Sequence, residues 1–221
     1  MIIPQIKICC ISSIEEAELA IKYGASAIGL VSEMPSGPGV ISEDLIEEIA
    51  SSVPRKINTF LLTSKTNADS IIEQHRKCKT TTLQIVDRVK INVLIKLRKE
   101  LHPIRLVQVI HVKGEESITE AKNVEQFVDV LLLDSGNQKL KVKELGGTGR
   151  THDWTISRKI RDAVSLPVYL AGGINVYNVL DAVREVEPFG IDLCSGVRTE
   201  NKLDETMLKE FFNSIMIVQD K

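Results

Sequence analysis

The chain carries no excess of either charge. Its 28 basic and 30 acidic residues leave a formal net charge of -2 over 221 residues. That balance gives no nucleic-acid footprint, although a local set of donors could still hold a small anion. Cysteine is scarce, confined to Cys9, Cys10, Cys78 and Cys194. So few cysteines in a chain this long argue against a disulfide-stapled secreted module. The adjacent Cys9 and Cys10 also lack a CxxC zinc or redox spacing. His75, His102, His111 and His152 are scattered and form no HExxH or other compact zinc signal. No GxGxxG follows an early strand, which weakens a dinucleotide-binding reading. No apolar run reaches the length of a membrane span. Residues 1–10 lack the basic and long apolar regions of a signal peptide. The expectation is a cytoplasmic protein with neither nucleic-acid nor membrane partners. With no linker or low-complexity tract, residues 1–221 are expected to form one domain.

What the chain does have is a regular alternation of apolar runs and helical periods. Strands are expected at Ile6–Ile11, Ala27–Val31, Ile57–Leu62, Thr82–Val86, Leu106–His111, Val128–Leu133, Val168–Leu170 and Ile191–Leu193. Helical patterns lie between them. Ser13 is placed to cap the first, with Glu16 three residues on as in a capping box and Gly24 as the C-cap. Ser42 and Asp153 are further N-cap candidates, and the helix after the seventh strand is expected over Val176–Val186. Apolar runs without strict alternation mark strands covered on both faces. Eight βα units at this length predict an α/β fold, a (β/α)8 TIM barrel, with its active groups at the C-terminal strand ends.

Those ends carry chemistry. The first strand runs into Cys9 and Cys10, which cannot both face the barrel axis while the strand stays regular. Cys9 could act as a base if its surroundings lower its pKa, and Cys10 is then expected to pack outward. Asp134 closes LLLD, where a carboxyl can serve as an acid. Gly146, Gly147 and Gly149 lie in the long loop that follows. Gly172 and Gly173 follow the seventh strand, and Ser195 and Gly196 the eighth, where barrels recurrently bind phosphate. His111 could meet ligand or simply pack. Asp129 reads as structural, and Arg198 as surface charge or an anion contact.

Taken together, KIC at Lys7–Cys9, LLLDS at Leu131–Ser135, GGTGRTHDW at Gly146–Trp154, LAGGINVYNV at Leu170–Val179 and DLCSGV at Asp192–Val197 resemble the phosphoribosylanthranilate isomerase family of tryptophan biosynthesis. The resemblance implies a barrel that needs neither metal nor organic cofactor. It also implies an Amadori rearrangement of N-(5-phosphoribosyl)anthranilate to its 1-deoxyribulose form, on a small phosphorylated sugar substrate, by a monomer or homodimer. Cys9 would be the base and Asp134 the acid. Gly147, Gly172, Gly173, Ser195 and Gly196 would hold the phosphate. Four positions depart from the family pattern. Cys10 stands where a glycine is usual, Gly39 where an arginine contacts the anthranilate end, Val86–Asp87 where histidine-glycine is usual, and Arg198 where a glutamate is usual. The departures keep two alternatives open: a related sugar-phosphate isomerase with a different aglycone, and a catalytically weakened phosphate-metabolite-binding protein.

Overall fold

The computed structural model describes residues 4–136, 143, 145 and 149–216. Eight parallel strands close into a barrel in chain order. They are β1 (Gln5–Ile8), β2 (Ala27–Val31), β3 (Asn58–Thr63), β4 (Thr82–Ile85), β5 (Arg105–His111), β6 (Val130–Asp134), β7 (Val168–Leu170) and β8 (Gly190–Leu193). The helices between and after them are α1 (Ile14–Tyr23), α2 (Glu43–Ser52), α3 (Ala68–Cys78), α4 (Ile91–Leu101), α5 (Glu116–Val124), α6 (Trp154–Ala163), α7 (Val179–Val186) and α8 (Glu205–Met216). All eight expected strands are present; β2 and β7 keep their expected bounds, and the other six shift at one or both ends.

Side chains alternate along each strand, so the barrel has two apolar layers. Ile8, Leu61, Ile110, Leu131 and Leu170 point outward and are covered by the helices. Phe60, Leu62, Val107, Val109, Leu132 and Tyr169 fill the interior. Burial of each large aliphatic side chain contributes about 1.5–3 kcal/mol, an upper figure because unfolded chains already hide some surface. The seam that closes the barrel pairs β1 with β8, setting Lys7 opposite Asp192 and Ile8 opposite Leu193.

The caps follow the sequence closely. Ser42 Oγ accepts from the Leu45 N–H at 3.2 Å, and the Asp153 carboxylate accepts from the Thr155 N–H at 2.9 Å. Ser13 Oγ accepts from the Glu16 N–H, but the capping box is incomplete. Glu16 reaches past Ser13 to the Ser12 N–H at 3.0 Å and on to Arg198. Asp129 is structural as expected: its carboxylate takes the Leu106 N–H at 2.7 Å and pairs with Arg98.

Three of the differences from expectation have a clear physical reason. β1 ends at Ile8, not Ile11, because Cys10 has φ 61°, which no extended strand can continue. α7 begins at Val179, not Val176. Asn175 and Asn178 take the Tyr177 and Asn175 N–H groups with their side chains, which favours a turn over a helix there. After β8, a two-residue hairpin pairs β9 (Arg198–Thr199) with β10 (Lys202–Leu203), and Glu200 and Asn201 both have positive φ at its tip.

Candidate active site

A cavity of about 690 Å³, including its open mouth, sits at the C-terminal ends of the strands. Its floor and walls include Cys9 after β1, Gln84 and Val86 at β4, Asp134 at the end of β6, and Asp192 in β8. The β7 and β8 loops contribute Gly172, Gly173, Ile174 and Ser195. Opposite them stands the β2 loop, with Met34, Ser36, Gly37 and Pro38.

Cys9, Asp134, Gly172, Gly173 and Ser195 therefore line one cavity. Gly196 does not line it. It packs beneath, where an added Cβ would come within 2.0 Å of the Ile174 carbonyl oxygen. Gly147 lies outside the described residues. Gly173 has φ 63°, and a Cβ there would meet the Arg150 and Thr151 backbone at 2.7–2.8 Å. Only glycine lets the long loop after β6 lie this close to the β7 loop.

The first correction concerns Cys10. It does not pack outward but lines the cavity beside Cys9, because its left-handed φ turns the chain after β1. A non-glycine residue in that region carries strain that its surroundings must hold. Arg198 does much of the holding. Its guanidinium donates to the Cys9 carbonyl at 3.2 Å and the Cys10 carbonyl at 2.7 Å, and it pairs with Glu16 at 2.9 Å. Only 4% of the Arg198 side chain is exposed, so it is not surface charge, and the anion it meets is Glu16, away from the residues lining the cavity.

Gly39 is explained by the same turn. With φ 78°, a Cβ at this position would stand 2.5 Å from the Cys10 Cβ, far inside contact distance. A side chain at 39 is thus excluded by the one at 10. The two departures at Cys10 and Gly39 are a matched pair.

Lys7 is the residue that sequence reasoning passed over as more than part of a motif. It is wholly buried, 2.9 Å from Asp192 and 5.1 Å from the centre of the Phe60 ring. Burial alone would lower its pKa, but Asp192, then Cys9, outweigh it and hold the amine protonated. The Cys9 thiol is held below its ordinary value of 9.0, first by a hydrogen bond from the Cys10 thiol, against burial, and then by the Lys7 charge. The Cys10 thiol is pushed up by its contacts with Cys194 and Cys9 and by burial. The consequence is that Cys9 ionises more readily than Cys10.

Asp134 is oriented by the Ser135 N–H, which donates to Oδ1 at 2.7 Å. His111 is not a cavity residue. Its Nε2 meets the Val86 carbonyl at 3.0 Å, which fixes the β4–β5 edge. The His152 ring lies behind Gly172 with Nε2 2.6 Å from Ser157 Oγ, and burial lowers its pKa although Asp134 opposes this. Asp87, next to Val86, pairs with Lys143, whose carbonyl accepts the Ser36 hydroxyl at 2.6 Å. Among the described residues, no group of three or more His, Cys, Asp or Glu side chains could hold a metal ion. No helix among them is long and apolar enough to cross a membrane.

A closed (β/α)8 barrel with thiol, carboxyl and glycine-rich loops around one mouth defines the class: a barrel enzyme acting on a small molecule. Comparison with known proteins narrows this. The family model described as N-(5'phosphoribosyl)anthranilate (PRA) isomerase matches residues 6–214, and the chain belongs to that family. An N-(5'-phosphoribosyl)anthranilate isomerase of Methanocella arvoryzae is 30% identical over 216 residues, covering 97% of this chain and 99% of that protein. N-(5'-phosphoribosyl)anthranilate isomerase 2 of Methanosarcina mazei is 35% identical over 204 residues, covering 92% and 89%. Among solved structures, phosphoribosyl anthranilate isomerase from Thermotoga maritima superposes with a TM-score of 0.82 at 26% identity, covering 96% of this chain and 98% of that one. A phosphoribosyl anthranilate isomerase in complex with reduced 1-(o-carboxyphenylamino)-1-deoxyribulose 5-phosphate gives 0.79 at 25%, with coverage of 96% and 98%.

Proposed function

We propose that this protein is an isomerase that converts N-(5'-phosphoribosyl)anthranilate to 1-(2-carboxyphenylamino)-1-deoxyribulose 5-phosphate, the Amadori step of tryptophan biosynthesis. The observation that carries the reading is the placement of Cys9 and Asp134 on one cavity whose far wall is Gly172, Gly173 and Ser195. Asp134 protonates the furanose ring oxygen, the C1–O bond breaks, and the lone pair of the neutral anilino nitrogen forms the iminium. Cys9 as thiolate removes the C2 proton, giving an enolamine, which gains a proton at C1 and loses the proton of its C2 hydroxyl to become the ketone. Phosphate held against the β7 and β8 loops fixes C1 and C2 between acid and base. Lys7 keeps positive charge beneath the thiolate.

The anthranilate end of the substrate lies toward the β2 and β4 loops. No side chain of Ser36–Gly39 is cationic. Lys143 is the cation nearest that wall: its carbonyl holds Ser36, and its ammonium, paired with Asp87, must exchange that partner to meet the substrate carboxylate. The same lack of a cation in the β2 loop favours a second reading, an isomerase for another phosphorylated N-glycoside. Turnover tests both. Freshly generated N-(5'-phosphoribosyl)anthranilate should lose its fluorescence with the wild-type protein. C9A and D134N should each lower kcat about 10²–10⁴-fold, the span of a positioned acid or base. K143M should raise KM about tenfold at similar kcat, as expected for a lost charge-assisted contact. Wild-type turnover no faster than C9A would reject the assignment, and faster turnover of a phosphorylated N-glycoside without the carboxylate would favour the second reading.

A further inference from the structure

Cys10 and Cys194 form a thiol pair that the isomerisation does not consume. The Cys194 thiol donates to Cys10 Sγ at 2.8 Å. The contact bridges the barrel seam and joins residues 184 apart in sequence. Pairing of Ile8 with Leu193 places Cys194 one residue, and Cys10 two residues, beyond the same rung. Both side chains line the cavity mouth, and Cys194 is half-buried while Cys10 is buried. A small oxidant can therefore reach the pair by the route the substrate takes. The left-handed turn at Cys10, clamped by Arg198, holds its sulfur toward β8 rather than outward.

We propose that Cys10 and Cys194 are a modification site: an oxidisable dithiol that closes to a disulfide with a low-molecular-weight disulfide, RSSR. The Cys194 thiolate attacks one sulfur of RSSR, forming a mixed disulfide and releasing one RS⁻. Cys10 then attacks the Cys194 sulfur, expelling the second RS⁻. The two thiol protons leave on two RSH, the protein is oxidised by two electrons, and RSSR is reduced by two. The consequence for turnover rests on Cys9 as the base. The Cys10 thiol hydrogen that favours the Cys9 thiolate is lost on closure.

The test is incubation of the full chain with oxidised glutathione, alkylation of remaining thiols, and peptide mapping, with turnover measured in parallel. Expected are a mass loss of two hydrogens, a Cys10–Cys194 link, at least about a tenfold fall in kcat, given the size of general-base contributions, and recovery with dithiothreitol. Cys194→Ala should form no link and keep its own starting activity through the treatment. Cys194→Ser is a second variant with the same expectation. A Cys9–Cys10 link, or full alkylation of Cys10 and Cys194 after treatment, would overturn the site. A Cys10–Cys194 link with unchanged turnover would leave the site standing and overturn the role given to Cys10 at Cys9.

Discussion

At the scale of single residues, the chemistry turns on how a thiol becomes a usable base. Cys9 is buried, and burial alone would push its pKa up. The Cys10 hydrogen bond, with Lys7 beneath, reverses that. A group whose working form is the thiolate gains activity as pH rises through its pKa. The acid limb of the rate profile should therefore fall below the ordinary thiol value of 9.0. In Cys10→Ala the donor is gone, so that limb should move to higher pH; an unmoved limb would show that Cys10 does not act on Cys9. The Cys10–Gly39 match gives a second prediction. G39A forces a Cβ into the Cys10 side chain at a positive φ, which should cost about 2–4 kcal/mol. In a C10G background the contacts with the Cβ and Sγ are removed, while the 2.9 Å approach to the Cα of residue 10 and the φ penalty of about 1–2 kcal/mol remain. Chemical denaturation of the four proteins should thus give a coupling of about 1–2 kcal/mol, whereas simple additivity would contradict the match.

At the scale of elements, the end of β1 is set by α1 and by the hairpin after β8. Glu16 of α1 holds Arg198, and Arg198 holds the Cys9 and Cys10 carbonyls. R198M would take from the Glu16 carboxylate its cationic partner, leaving it the Ser12 and Leu203 N–H groups, and would remove the guanidinium donor from two carbonyls. The expected loss is about 3–5 kcal/mol of stability, with kcat falling as Cys9 shifts. Burial raises the Glu16 pKa, but Arg198 and the Leu203 N–H outweigh it, so the folded pKa lies below the ordinary 4.5. A depressed carboxyl contributes stability that is full above the unfolded pKa and is lost as pH falls through the folded one. Acid unfolding of E16Q should accordingly show a shallower loss of stability below about pH 4.5 than the wild type. None of this was legible in the local sequence. Arg198 lies 182 residues from Glu16, and a left-handed cysteine has no local signature as glycine does. The caps at Ser42 and Asp153 were legible because their partners lie within three residues.

At the scale of the whole molecule, apolar runs bounded by glycine, proline and capping residues made the eight βα units readable. The barrel rule then placed Cys9, Asp134, Gly172, Gly173 and Ser195 together. Lys7 stayed hidden because a lysine inside a barrel makes sense only with Asp192, 185 residues on, brought alongside by closure of β1 on β8. That seam also aligns the thiols, so one feature of the topology sets both the charge under Cys9 and the dithiol above it. The central claim is geometric: phosphate on the β7 and β8 loops, reacting carbons between Cys9 and Asp134. A crystal structure of this protein with reduced 1-(o-carboxyphenylamino)-1-deoxyribulose 5-phosphate tests it most directly. The phosphate is expected within hydrogen-bond reach of the Gly173 and Ser195 backbone, with Cys9 Sγ and the Asp134 carboxyl on opposite sides of C1–C2. Phosphate bound elsewhere, or a sugar lying away from Cys9, would contradict it.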